Sequence, residues 1–162
     1  MGIRHQLPMQ YDGFSETDDA LGWSAPPDGP KIVDDLVREC LRARRNSLAI
    51  SIIMLMITES KKAIIRGRRS QIAALRSRAL RGLRETDVVG KYDGERVLCI
   101  LPGADIEGAI VAADRLRKLG TARNALTDVA IGYAQLGPSE KDVAQFIARA
   151  LKISRSKTSH AA

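Results

Sequence analysis

Aromatic side chains are scarce in this chain of 162 residues, which holds three tyrosines, two phenylalanines and one tryptophan. Beyond residue 30 only Tyr92, Tyr133 and Phe146 remain, too few for the stacking platforms that hold single-stranded nucleic acid. Histidine is confined to His5 and His160 at the two ends. That removes histidine metal sites and Ser–His or Cys–His pairs from the centre of the chain. The two cysteines form no metal or redox motif. Cys40 falls in a helical pattern and Cys99 in an apolar strand pattern, so both are expected as reduced core thiols. No glycine-rich phosphate loop is present, and no basic-then-apolar start resembles a signal peptide. The longest apolar run, residues 48–57, is interrupted by Ser51 and is too short to span a bilayer. These absences lead to the expectation of a cytoplasmic protein with no membrane contact, no metal and no cofactor.

What is plentiful is positive charge, and it is unevenly placed. The formal net charge is +7. Residues 1–30 carry one cation, Arg4, against Asp12, Glu16, Asp18, Asp19 and Asp28, a net −4 that leaves +11 for residues 31–162. A basic body with an acidic tail points to anionic partners or to a tail that folds back on the body. The tail also holds Pro8, Pro26, Pro27 and Pro30 and shows no sustained period, so residues 1–30 are expected to be disordered or partner-dependent. Tyr11, Phe14 and Trp23 within it either dock on the body or anchor a partner.

From Lys31 onward the periodicity sharpens. Ile32, Val33, Leu36, Val37, Cys40 and Leu41 recur at helical spacing, ending in Arg42, Arg44, Arg45 and Asn46. Residues 47–57 are apolar nearly throughout, as in a central strand covered on both faces. A long helical region follows, with Gly67 expected to divide it. Residues 87–92 and 96–101 are two short β runs around Asp93-Gly94-Glu95, a strong hairpin signal. Pro102-Gly103 ends the second run. Ile106, Ala109, Ile110, Ala113, Leu116 and Leu119 mark another helix, stopped at Gly120. Residues 128–136 are expected as a strand, and residues 139–142 as the start of a last helix that frays beyond Arg155. The order, a helix, then βαββαβ, then a helix, defines an α+β fold: a ferredoxin-like antiparallel sheet flanked by helices, those of the repeat lying on one face. The expected domain covers residues 31–157, with residues 158–162 as a frayed end.

Residues 83–97 resemble the heart of a GGDEF (diguanylate cyclase) domain. That family has R-x-x-D, five residues, then a hairpin whose tip reads G-G-D-E-F. Here Arg84 and Asp87 occupy the first motif, residues 88–92 are the spacer, and Asp93, Gly94, Glu95, Arg96 and Val97 stand in place of the signature. Two further segments are similar to the family's: residues 129–134 to its late strand, and residues 148–152 to its closing A-D-x-A-L-Y helix, with the Asp and Tyr positions replaced. The resemblance implies a scaffold that joins two GTP molecules using Mg²⁺ held by carboxylates, and the same residues imply that this chemistry is lost. Asp93 replaces a glycine, Glu95 the metal-binding aspartate, and Arg96 an acid, while residues 47–57 offer no aspartate. Glu59 is the nearest acid.

In that family R-x-x-D is the inhibitory site for cyclic di-GMP. The resemblance therefore implies a catalytically inactive effector that binds this nucleotide through Arg84 and Asp87, with Arg81, Arg78 and Lys91 near its phosphates, and that acts by protein–protein contact. The pairing suits the residues, since an arginine fork can donate to guanine O6 and N7. Four other readings stand beside it. Arg84 and Asp87 form only a local ion pair. Arg96 holds a phosphate directly in a metal-independent GTP sensor. The chain is a dimerisation or protein-docking module without ligand. The arginines of residues 66–84 and 38–45 bind a nucleic-acid backbone.

Overall fold

The computed structural model describes residues 30–58, 67–120, 129–140 and 142–158. The expectations for residues 1–29, for Glu59 and the helical pattern of residues 59–66, and for residues 159–162 lie outside the described residues.

The sheet is organised around β1 (Ile50–Ile57), an eight-residue strand in which no side chain is charged. Its alternate residues face opposite sides, and both sides are covered. Ile50, Ile52 and Met54 enter one core, while Ile53, Leu55 and Ile57 enter another. The hairpin strands β2 (Val88–Lys91) and β3 (Arg96–Pro102) and the late strand β4 (Val129–Gln135) complete the sheet. The order is β2-β3-β1-β4, with every neighbouring pair antiparallel. Register follows from the same alternation: Ile53 pairs with Cys99 on one side and Tyr133 on the other.

Helices α1 (Lys31–Arg45), α2 (Arg68–Gly82), α3 (Ile106–Gly120) and α4 (Val143–Thr158) cover the two faces. The two helices inside the βαββαβ repeat, α2 and α3, lie on one face with Val97, Cys99 and Leu101. The two outside it, α1 and α4, close the other with Leu98, Ile100 and Tyr92. Gly67 stands at the head of α2. Ends are fixed by side chains where the sequence supplies them. Asp105 accepts from the Gly108 amide and Asp142 from the Gln145 amide, each at 2.8 Å, capping α3 and α4. Asp142, rather than the whole of residues 139–142, therefore starts the last helix, which also runs beyond Arg155 to Thr158. Gly103 follows β3 at φ 75°, a conformation that glycine adopts without strain. No helix of the described residues is long and apolar enough to cross a membrane.

The connection into α4 is held by an ion pair. Glu140, buried at 8% exposure, accepts from Arg149 Nε at 2.8 Å and Nη2 at 2.7 Å, and from the Gly137 amide at 2.8 Å. Its carbonyl accepts from Arg44 of α1, so one short loop ties α1, β4 and α4 together. Both cysteines are buried and free. Burial pushes the Cys40 thiol from 9.0 up to about 12, partly opposed by Arg44. Burial, then the nearby Asp87, raises Cys99 as well.

Two outcomes follow from this packing. A Cβ at Gly90 would meet Ile32 Cδ1 at 2.7 Å and Ile32 Cβ at 2.8 Å. Gly90→Ala therefore pushes α1 off β2 and lowers the urea unfolding free energy by about 1–3 kcal/mol. The thiols set an alkaline limit. Below pH 9 each is protonated whether folded or not; between pH 9 and about 12 the unfolded Cys40 ionises while the folded one does not, so stability falls as pH rises. Urea midpoints measured from pH 8 to 10.5 under reducing conditions will decline less steeply for Cys40→Ala than for the parent chain.

Candidate functional site

Two turns at the ends of β2 carry the residues singled out from the sequence. At its start, α2 ends at Gly82 and the chain turns through residues 84–87. Asp87 closes this turn twice: its Oδ2 accepts from the Arg84 amide at 2.8 Å, and its own amide donates to the Arg84 carbonyl at 3.0 Å. The three-residue spacing is thus a backbone clasp. No ion pair joins the two side chains. The Arg84 side chain is exposed and, among the described residues, its guanidinium makes no hydrogen bond or ion pair. Asp87 is half-buried, and among the described residues its Oδ1 accepts no hydrogen bond. Arg81, in the last turn of α2, is exposed and similarly unpaired.

At the other end of β2 the hairpin tip closes on itself. Asp93 accepts from the Glu95 amide at 2.8 Å and from Arg96 Nε at 2.6 Å, with a second contact to the Arg96 guanidinium. Arg96 also lies over the Tyr92 ring, 5.0 Å from its centroid. Two guanidinium nitrogens converge on one carboxylate oxygen, Asp93 Oδ2, with the Tyr92 ring against the guanidinium. The sequence marks Asp93 and Arg96 as departures from a signature; that the two neutralise each other appears only in the folded hairpin. The Tyr92 contact was also missed, although the four-residue spacing across an Asp-Gly turn is the signal that could have found it. Burial of the same ring raises the Tyr92 hydroxyl pKa, with Arg96 opposing. Gly94 and Glu95 are exposed at the tip.

The structure therefore gathers Arg81, Arg84 and Asp87 at one junction. Lys91 is exposed at the far end of β2, four residues and about 13 Å along the strand from Asp87. It stands with the hairpin group, Asp93 to Val97, rather than with the arginines. Arg78 is half-buried on α2.

Magnesium is held by one or two carboxylates together with substrate phosphates and water, and the described residues offer few carboxylates here. Those of β1 are absent, Asp93 is committed to Arg96, and among the described residues no cluster of three or more Asp, Glu, His or Cys could hold a metal ion. What surrounds the junction is instead cationic: α2 has five arginines and no acid.

No family model and no curated protein matches the sequence. Solved structures do match. The active GGEEF domain of a diguanylate cyclase from Vibrio cholerae superposes with a TM-score of 0.69 at 16% identity, over 81% of this chain and 90% of that one. The GGDEF domain of DgcB from Caulobacter crescentus, in complex with cyclic di-GMP, gives 0.62 at 20% identity, over 79% and 82%. Diguanylate cyclase SiaD from Pseudomonas aeruginosa, in complex with its activator SiaC, gives 0.68 at 18% identity, over 91% of this chain and 60% of that one. The chain thus has a GGDEF-like fold, with a four-stranded antiparallel sheet and four helices among the described residues.

The clasp and the guanidinium separate experimentally. Asp87→Ala, which unsatisfies the Arg84 amide, will lower stability by about 1 kcal/mol. Arg84→Ala, at an exposed side chain without partners, will change the urea midpoint little.

Proposed function

We propose that this protein is a catalytically inactive, cytosolic GGDEF-like signalling module that binds cyclic di-GMP at the α2–β2 junction and passes the signal on by protein contact. One observation carries the reading: Arg84 presents an exposed guanidinium with no hydrogen bond or ion pair among the described residues, at a turn where its own amide holds the Asp87 carboxylate in place. An arginine so placed can fork onto the O6 and N7 edge of a guanine. Asp87 Oδ1, which accepts no hydrogen bond among the described residues, offers an acceptor for the N1–H and amino group, and Arg81 supplies charge for a phosphodiester. The family resemblance of residues 83–97 names the ligand. The DgcB domain, itself bound to cyclic di-GMP, shares the fold.

Loss of cyclase chemistry is supported by the donor set. With Arg96 committed to Asp93, neither of these two side chains is left to take a metal or a bare triphosphate at the hairpin. This also weighs against a metal-independent GTP sensor. Output through protein contact is supported by the exposed apolar side chains Ile110 and Val111 on α3, the latter 60% exposed.

Calorimetry tests the ligand. Cyclic di-GMP will bind the parent chain, and Arg84→Ala will weaken it by about 1–3 kcal/mol, the usual worth of a bidentate guanine contact. Absence of binding at about 50 μM, roughly a −6 kcal/mol threshold, or full binding by Arg84→Ala, removes the reading. Incubation with GTP and Mg²⁺ will yield no cyclic di-GMP.

A further inference from the structure

The turn between α1 and β1 has no part in the junction site. Arg44 and Arg45 close the helix, and Asn46, Ser47, Leu48 and Ala49 lead into β1. The Ser47 amide donates to the Arg44 carbonyl at 3.3 Å and the Leu48 amide to the Ala43 carbonyl at 2.8 Å. Together these bonds form a Schellman lock, which sets Ser47 at φ 52°, where glycine or asparagine is the common occupant. A serine holds that position here. Its side chain is exposed and its hydroxyl makes no hydrogen bond among the described residues. Leu48 follows, 57% exposed.

The order Arg44-Arg45-Asn46-Ser47-Leu48 has a chemical reader. Protein kinases select substrates through charge pattern. A groove with carboxylates at the subsites three and two residues before the acceptor, and an apolar pocket just after it, takes two arginines, a spacer, a hydroxyl and a leucine. Among the serines and threonines of the chain, Ser47 alone has arginine at both earlier positions. Access fits as well. Ser47 and Leu48 already lie outside the helix, and Arg45 is exposed with no side-chain hydrogen bond or ion pair among the described residues. Helix ends open at little cost.

We propose that Ser47 is a phosphorylation site for an arginine-directed protein kinase, and that its phosphate draws Arg44 away from the β4–α4 loop. In the transfer the Ser47 Oγ–H proton passes to the kinase's catalytic carboxylate, and Oγ bonds to the γ-phosphorus of ATP. The bond from that phosphorus to the β–γ bridging oxygen breaks, and ADP leaves. The product is an anionic phosphate three residues from Arg44 and beside the last carbonyls of α1. In the unmodified chain Arg44 donates to a neutral acceptor, the Glu140 carbonyl; a phosphate oxygen is the stronger one. Negative charge at the C-terminal end of α1 also opposes the helix dipole. Both effects loosen the tie between α1 and the loop that the Glu140–Arg149 pair holds.

The test incubates the intact chain with the catalytic subunit of the cyclic-AMP-dependent kinase, ATP and Mg²⁺, beside a peptide of residues 41–51. Mass spectrometry maps the phosphate. Ser47 takes it in both, and Ser47→Ala takes none there. Arg45→Ala lowers kcat/KM about tenfold or more, the loss of one charge-assisted contact, with circular dichroism unchanged. A peptide that is phosphorylated while the folded chain is not overturns the site. So does failure of both, or phosphate on Ser70, Ser77 or Thr86 instead.

Cys40 reads the second half. It lies on α1 at 0% exposure, and burial above all, then Arg44 and Glu140, set the state of its thiol. Alkylation of Cys40 by iodoacetamide will run several-fold faster in the phosphorylated chain, while Cys99, buried within the sheet, keeps its rate. An unchanged Cys40 rate overturns the release of Arg44, and a matched rise at Cys99 does the same by reporting general unfolding. Neither readout depends on cyclic di-GMP.

Discussion

The burial of β1 on both faces is the constraint from which the rest of the molecule follows. A strand with neighbours on both edges has its backbone groups satisfied within the sheet. Two covered faces demand apolar side chains at every position, which β1 meets apart from Ser51, whose hydroxyl donates to the Ala104 carbonyl at 2.9 Å. Two helix layers are then obligatory. A two-helix sandwich on one side alone would leave Ile50, Ile52 and Met54 in water, at a cost of several kcal/mol. Helices α1 and α4 remove that cost, and Phe146 and Leu36, both fully buried, occupy the space between them and the sheet.

This arrangement was largely visible in the residues. The period-2 runs around Asp93-Gly94, the 3–4 spacing in α1 and the unbroken apolar run of β1 are local signals, and local physics wrote them. The side of the sheet that α1 and α4 take is not local. It follows from handedness and from which face remains uncovered, and no residue of α1 states it. The Glu140–Arg149 pair was similarly invisible. Nine residues separate the partners, and only the turn between β4 and α4 brings them together.

At the candidate site the residues singled out from the sequence have partners that their spacing did not disclose. Arg84 and Asp87 do meet, but through the arginine's amide, because a turn of four residues brings that amide, and not the long side chain, to the carboxylate. Asp93 and Arg96 were each legible as a change of charge. Their mutual neutralisation depends on the tightness of the hairpin and on the Tyr92 ring beneath. The outcome is a hairpin tip in which Asp93 and Arg96 answer each other, while the cations of α2 have no acid on their own helix.

The contact between Arg76 and the Val89 carbonyl has an effect on how the molecule meets others. β2 is the outermost strand on its side, only four residues long, and one of its carbonyls already has a side-chain donor. Too little open backbone remains there for an incoming peptide to extend the sheet. Self-association into cross-β stacks is discouraged at this margin.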